Sequence, residues 1–275
     1  MMRIGGMARD NFHMELLAYL LTGAVAGLMA GLLGVGGGLL IVPILAWLFA
    51  RHGFANETLM HYAVGTSLAV ILPTSLASLL THQRLGSINW QVARLMAPGI
   101  LLGALLGAWL AKQMSNALLG QFFGVFMLLM AVKFIAGVNP GPGRALPGAL
   151  GLGIAGGVIG LLSALLGIGG GSLTVPFLLS CKENIRMAVG TAATLGFPVA
   201  VAGTSGFIVS GLGSTGQPGF NSGFVYWPAV AGIVLASVQL APVGARLAHR
   251  LPQKTLQRVF ALLLTVIGLK MVLGV

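Results

Sequence analysis

Residues Gly27–Pro43 read Gly-Leu-Met-Ala-Gly-Leu-Leu-Gly-Val-Gly-Gly-Gly-Leu-Leu-Ile-Val-Pro, and the pattern returns at Gly160–Pro176 with 11 of 17 residues identical at an offset of 133. Each copy is a long apolar run, a Gly-x-Gly-Gly-Gly core and a shorter apolar run carrying a proline. Glycine trades side-chain packing for backbone freedom and close approach. Three adjacent glycines inside hydrocarbon-like sequence therefore predict an interrupted membrane helix. The freed N–H and C=O groups are tolerable at membrane depth only inside protein or beside water. Small residues also let helices pack closely, which is the alternative for either copy alone. Matched interruptions in two halves point instead to a transporter binding site.

The rest of the chain fits a bilayer. It is 57% hydrophobic and 7% charged, far from the quarter of charged residues found in soluble domains. The net charge of +11 comes from 15 Lys and Arg against 4 Asp and Glu. These cations stand singly at the ends of apolar runs, as topology signals and interface anchors do, so no nucleic-acid partner is expected. The single Cys181 excludes an intramolecular disulfide and reads as a packing residue. The apolar run Leu16–Leu33 resembles a signal-peptide core, but its return in the second half predicts retained structure.

In chain order, the pattern predicts spanning helix a at 14–33, a break at Gly34–Gly38, short helix b at 39–50, and helix c at 59–81 with Pro73 inside. Helix d follows at 92–111, with a strip of Gly99, Gly103 and Gly107, and helix e at 118–138. A Pro/Gly linker at 139–146 separates residues 1–138 from the second repeat, 147–275. There a′ (147–166), a break at Gly167–Gly171, b′ (172–181), c′ (186–211), d′ (224–248) and e′ (254–273) repeat the plan, with a possible second unwinding at Gly203–Gly206. The expected fold is an all-α polytopic membrane protein of two homologous halves, each a Gly-broken helix pair plus three spanning helices. Whether the halves are inverted or parallel depends on whether each broken pair returns to its starting face; inversion is preferred, because it brings the breaks together near the midplane.

Loop charge places the turn bearing Arg246, Arg250, Lys254 and Arg258 in the cytoplasm, with both termini outside. The N-terminal Arg3 and Arg9 then stand on the wrong face for the rule. The expected location is the inner (plasma) membrane, crossed many times.

The motifs Gly34-Val-Gly-Gly-Gly38 with Val42-Pro43, Gly167-Ile-Gly-Gly-Gly171 with Val175-Pro176, and Ala63-Val-Gly-Thr66 with Ala188-Val-Gly-Thr191 resemble the sulfite/organosulfonate exporter family of TauE/SafE type. The resemblance spans nearly the whole chain in both halves. It implies a permease for sulfur-containing or related organic anions, and it specifies the substrate poorly.

The residues permit such chemistry. The N-termini of b and b′ offer unpaired N–H groups and a positive dipole end to an anion, through Gly36, Gly37 and Gly38 and through Gly169, Gly170 and Gly171. Thr66 and Ser67 on c, Ser172 and Thr174 on b′, and Thr191 and Thr194 on c′ are candidate neutral donors, each also able to bond its own helix carbonyl. Lys133 and Lys270 read as snorkelling cations. No carboxylate falls at mid-span. His61 is the one candidate for proton coupling, with a head-group contact the favoured alternative. The glycine motif follows no strand and no acidic residue stands at dinucleotide-motif distance. Without a His/Cys/carboxylate cluster or a nucleophile elbow, no enzyme activity, cofactor or metal is expected. The expected partners are a small anion and membrane lipid, with a homodimer left open. The alternatives to a secondary transporter are an anion channel and a non-transporting scaffold subunit.

Overall fold

The computed structural model describes residues 4–33, 37–136, 145–213, 219–248 and 253–274, with the side chains of 4–14, 30–33, 242, 244–248 and 253–257 outside the description. Ten helices and one small hairpin fill these segments. They are α1 (Ile4–Leu33), α2 (Gly38–Arg51), α3 (Leu59–Arg84), α4 (Trp90–Gln113), α5 (Asn116–Ala136), α6 (Ala149–Leu166), α7 (Gly171–Ser180), α8 (Ile185–Ser210), α9 (Trp227–Ala248) and α10 (Gln253–Leu273), with β1 (Asn221–Ser222) pairing antiparallel to β2 (Val225–Tyr226). Helices a–e and a′–e′ of the sequence are α1–α5 and α6–α10. Among the described residues, α3, α4, α5, α6 and α8 are each long and apolar enough to cross a bilayer.

The short members of the broken pairs, α2 and α7, have 14 and 10 residues. At about 1.5 Å per residue they fall well short of a 30 Å hydrocarbon core. The break before α7 is set by glycine. Gly167 ends α6 in the left-handed region at φ 63° and Gly170 opens α7 at φ 74°, conformations other residues rarely adopt. In the first half Gly37 is helical, at φ −70°. Residues 34–36, including Gly36, lie outside the described residues, as does most of the 139–146 linker.

The packing exchanges the two halves. Gly99 and Gly103 of α4 meet Gly153 and Gly157 of α6, where an added methyl group would overlap backbone carbonyls. The glycine strip of helix d therefore faces the other repeat. In the equivalent pair, Gly23 and Gly27 of α1 meet Ile233 and Ser237 of α9. Both pairs run parallel. Helix α3 crosses α8 the other way: Gly65 faces Phe207, Leu68 faces Gly203 and Ser75 faces Gly196. Helices α5 and α10 are also antiparallel, with Gly124 against Gly268 and Phe134 against Phe260, ring centroids 5.3 Å apart. Antiparallel pairing of c with c′ and of e with e′ is consistent with inverted repeats.

The core lies along α3 and α8. Every residue from Leu59 to Ile71 is buried, as expected of a helix apolar all round. Several expectations are corrected here. Helix α8 runs unbroken through Gly203–Gly206 to Ser210, because Gly203 and Gly206 receive Leu68 of α3 and Ala108 of α4 and serve packing. His61 makes no head-group contact: it is 4% exposed, and its Nε2 donates to the Ala111 carbonyl at 2.8 Å, tying α3 to α4. Helix α1 begins ten residues earlier than the apolar pattern suggested.

Candidate functional site

A cavity of ≈ 530 Å³ lies between the halves. Its long wall is the C-terminal half of α3, from Val70 to His82, facing Val189–Gly196 of α8. Gly37, the cap of α2, with Ile41, and Gly169, just ahead of α7, with Gly171 and Val175, form its inner end, and Ala26 and Gly27 of α1 with Ser237 and Ala241 of α9 complete it. Both broken helices thus reach one space. The breaks also touch each other, since a Cβ on Gly38 would stand 2.6 Å from the Gly167 carbonyl oxygen. Among the described lining residues the polar groups are neutral hydroxyls, including Thr74, Ser75, Ser78, Thr81 and Ser237, and one imidazole, His82.

Of the sequence candidates, Gly37, Gly169 and Gly171 line this space. Gly170 sits behind them, its side-chain direction 3.6 Å from Ser163 Oγ and 3.7 Å from Thr174 Oγ1. Both hydroxyls are fully buried and, among the described residues, have no hydrogen-bond partner. They form a polar spot beside the N-terminus of α7 in otherwise apolar packing. Its repeat counterparts are Ala30 and Ile41, so the spot belongs to one break only.

The other hydroxyls are engaged in the scaffold. Thr66 Oγ1 accepts from the Tyr226 N–H at 3.1 Å, and Thr191 Oγ1 accepts from the Asn89 N–H at 2.9 Å. These two bonds are repeat equivalents: each ties helix c of one half to the entry of helix d of the other. Ser67 donates to the Gly167 carbonyl at 2.7 Å, fastening α3 to the break. Thr194 donates to its own helix at Gly190, 2.9 Å away. Ser172 is buried on α7. Sequence reading missed the hydroxyls of Thr74, Ser75, Ser78 and Thr81. Their three- and four-residue spacing on one face of α3 was the available signal.

The end of the molecule remote from His82 is closed by aromatic rings. Tyr19, Phe49, Phe54, Tyr62, Phe224 and Tyr226 stack or meet edge-on at centroid distances from 4.4 to 6.3 Å. On the same side Tyr19 Oη lies 3.4 Å from His52 Nδ1, and His52 Nε2 lies 3.9 Å from Glu15. Tyr226, in the hairpin outside the helices, has its phenol pushed up by burial, with the Glu15 charge adding to the effect; it stays neutral near pH 7.

Ten helices in two exchanged halves, with interrupted helices meeting at an internal cavity, define an integral, multi-pass membrane transporter. The family model described as "Sulfite exporter TauE/SafE" matches residues 19–271, and the chain belongs to that family. It is 36% identical to a "Probable membrane transporter protein" of Haemophilus influenzae, over 94% of this chain and 98% of the relative. Probable membrane transporter proteins of Methanocaldococcus jannaschii and Bacillus subtilis are each 27% identical, over 96% and 94% of this chain and 97% and 98% of the relatives. No solved structure matches.

Proposed function

We propose that the chain carries a small sulfur-containing or organic anion, such as sulfite or a sulfonate, across the inner membrane by alternating access between inverted repeats, 1–138 and 147–275. The observation that carries this reading is that one cavity is lined from both glycine breaks. The N-termini of α2 and α7 present N–H groups and positive dipole ends there. An oxyanion can approach Gly37, Gly169 and Gly171 without Cβ obstruction. Neutral hydroxyls and dipoles suit a transporter, which has to release what it binds. Gly38 and Gly170 shape the breaks, while Thr66, Ser67 and Thr191 hold the helices that frame them. The aromatic closure at the end remote from His82 favours a carrier over an open channel.

The charge pattern orients the molecule with Arg84, Lys182 and Arg186 on the cytoplasmic face, so that the cavity faces inward. The test is a thermal-shift screen of the purified chain against sulfite, sulfate, alkylsulfonates and carboxylates. A ligand that binds only the folded state raises the melting temperature with concentration. Stabilisation by sulfite or a sulfonate, lost in Gly37→Ala, is the expected result. Stabilisation by none of these anions would overturn the reading.

A further inference from the structure

The repeat supplies an internal comparison at the rim of the cavity. At the C-terminal end of α3, the Ser87 N–H donates to the His82 carbonyl at 3.1 Å. At the equivalent place on α8, the Phe224 N–H donates to the Phe207 carbonyl at 3.2 Å. The backbone turn is the same, and the side chains are opposite in character. Phe207 and Phe224 are buried, in the end of the molecule that the aromatic rings close. His82 and Ser87 stand at the other end, where His82 lines the cavity beside exposed Thr81. A pair of apolar rings in one repeat is thus replaced in the other by a hydrogen-bonded imidazole and hydroxyl, at the end where His82 lines the cavity.

The hydrogen bonds fix the imidazole. Ser87 Oγ lies 3.2 Å from the His82 carbonyl oxygen and 2.8 Å from His82 Nδ1, so one hydroxyl holds both the backbone and the ring. Either neutral tautomer leaves one ring nitrogen as an acceptor, and protonation turns both nitrogens into donors. Among the described residues, the cavity lining from α1, α2, α7, α8 and α9 carries no titratable side chain. The other charged groups described towards this end are Arg84 on the same helix, Arg94 on α4, Lys133 near the end of α5, Lys182 and Glu183 ahead of α8, Arg186 in its first turn and Arg258 on α10. None of them lines the cavity, and Glu183 accepts from Asn89 Nδ2 at 2.8 Å. The side chain of Arg246, further along α9, is outside the described residues.

We propose that His82, oriented by Ser87 at the cavity rim, is a proton-dependent capture group for the entering anion, and that it makes anion binding from this face depend on pH. This inference rests on the reading of the cavity as an anion path. The rim lies 11 residues along α3 from Ile71, which touches the Gly169 break, or about 16 Å by helical rise. His82 therefore acts at the entrance, while the helix N-termini act at the inner end. A protonated imidazole at the rim draws the anion in. Return of the proton to solvent releases that attraction, so the capture is reversible and no bond is made or broken except N–H.

The test uses the purified full-length chain with methanesulfonate as the probe. A sulfonate stays ionised throughout the range, so any pH dependence belongs to the protein. Calorimetric titration at about pH 8 and about pH 5.5 brackets the ordinary imidazole range. Wild type is expected to bind about tenfold more tightly at the lower pH, the effect of one added charge-assisted hydrogen bond. His82→Gln, which keeps an amide partner for Ser87, is expected to lose that gain. His82→Asn carries the same test should the first variant fail to purify. A wild type without pH dependence, or a His82 variant that retains it, overturns this inference and leaves the anion site standing. Failure of methanesulfonate, sulfite and benzenesulfonate to bind wild type at either pH overturns the underlying reading and this inference with it.

Discussion

Replacing Gly37 by alanine separates an anion site at the break from a packing role. Gly37 has helical backbone angles and needs no left-handed conformation. An added Cβ would stand 3.2 Å from Ile41 Cδ1, the end of a flexible side chain, and 3.6 Å from the Ala26 methyl and carbonyl oxygen. A few tenths of an ångström of adjustment accommodates it. Gly37 caps α2, where alanine is a poorer N-cap than glycine but meets no backbone strain, so the folded state should lose only a modest amount of stability. The same change at Gly103 places a methyl group on the Gly157 carbonyl oxygen, where only separation of α4 from α6 relieves it. Gly103→Ala should therefore lower yield and melting temperature, and Gly37→Ala should leave both near wild type. Binding reverses the order. If the Cβ at 37 holds an anion away from backbone N–H donors, the loss is that of a hydrogen bond to a charged group, about 1.5–3 kcal/mol or tenfold to a hundredfold in Kd. Melting curves and sulfonate titrations of the two variants measure both effects. A Gly37→Ala protein that folds and binds like wild type refutes the anion site at this break, and equal loss of stability in both variants reduces Gly37 to a packing residue.

Thr66→Val and Thr191→Val should each leave a backbone N–H in the helix d entry without its partner, lowering stability by about 1–3 kcal/mol in chemical or thermal denaturation; the two losses should be similar, since the bonds are repeat equivalents. Ser163→Ala and Thr174→Val remove buried hydroxyls that have no partner among the described residues. Melting temperature without ligand should hold or rise, while sulfonate binding should weaken if the pair serves the anion at the α7 break. Cys181→Ser, at the buried cap of α7, should keep transport and show only a small loss of stability, measured by uptake at matched membrane levels.

Much of this architecture was legible because glycine and proline are punctuation in apolar sequence. The Gly-x-Gly-Gly-Gly repeats located both breaks, and the fourfold spacing of Gly99, Gly103 and Gly107 located a helix contact face, although not its partner. That the partner is α6 of the other half depends on how the repeats exchange, which no local pattern encodes. The hydroxyl candidates show the same limit. Thr66 and Thr191 stand out because they are equivalent, yet their equivalence reflects paired cross-repeat bonds to Tyr226 and Asn89. Ser163 and His82 lacked any repeat signal, because each has an apolar counterpart, Ala30 and Phe207. Searching for matched residues passes over the positions where the halves differ.

On the proposed alternating-access reading, those differences decide how a symmetric scaffold comes to rest in an asymmetric state. If the repeats had identical side chains, the two ends of the molecule would be energetically equivalent, and open and closed ends could interchange without preference. Here Tyr62, Phe224 and Tyr226 close one end, while the same repeat positions at the other hold Met187, Ser87 and Asn89. Edge-to-face ring pairs contribute about 0.5–1.5 kcal/mol each beyond their buried area, so a handful of them is enough to bias the equilibrium by orders of magnitude. An anion able to reverse that bias has to bind the opposite state more tightly by the same amount. Thinning the closure should therefore shift populations without touching the anion site. Tyr226→Ala, at a residue remote from the cavity lining, should raise the accessibility of a cysteine placed at Asn221 to a membrane-impermeant thiol reagent in a Cys181→Ser background. Unchanged labelling in the presence and absence of Tyr226 would mean that the ring cluster is passive packing and that the bias between states lies elsewhere.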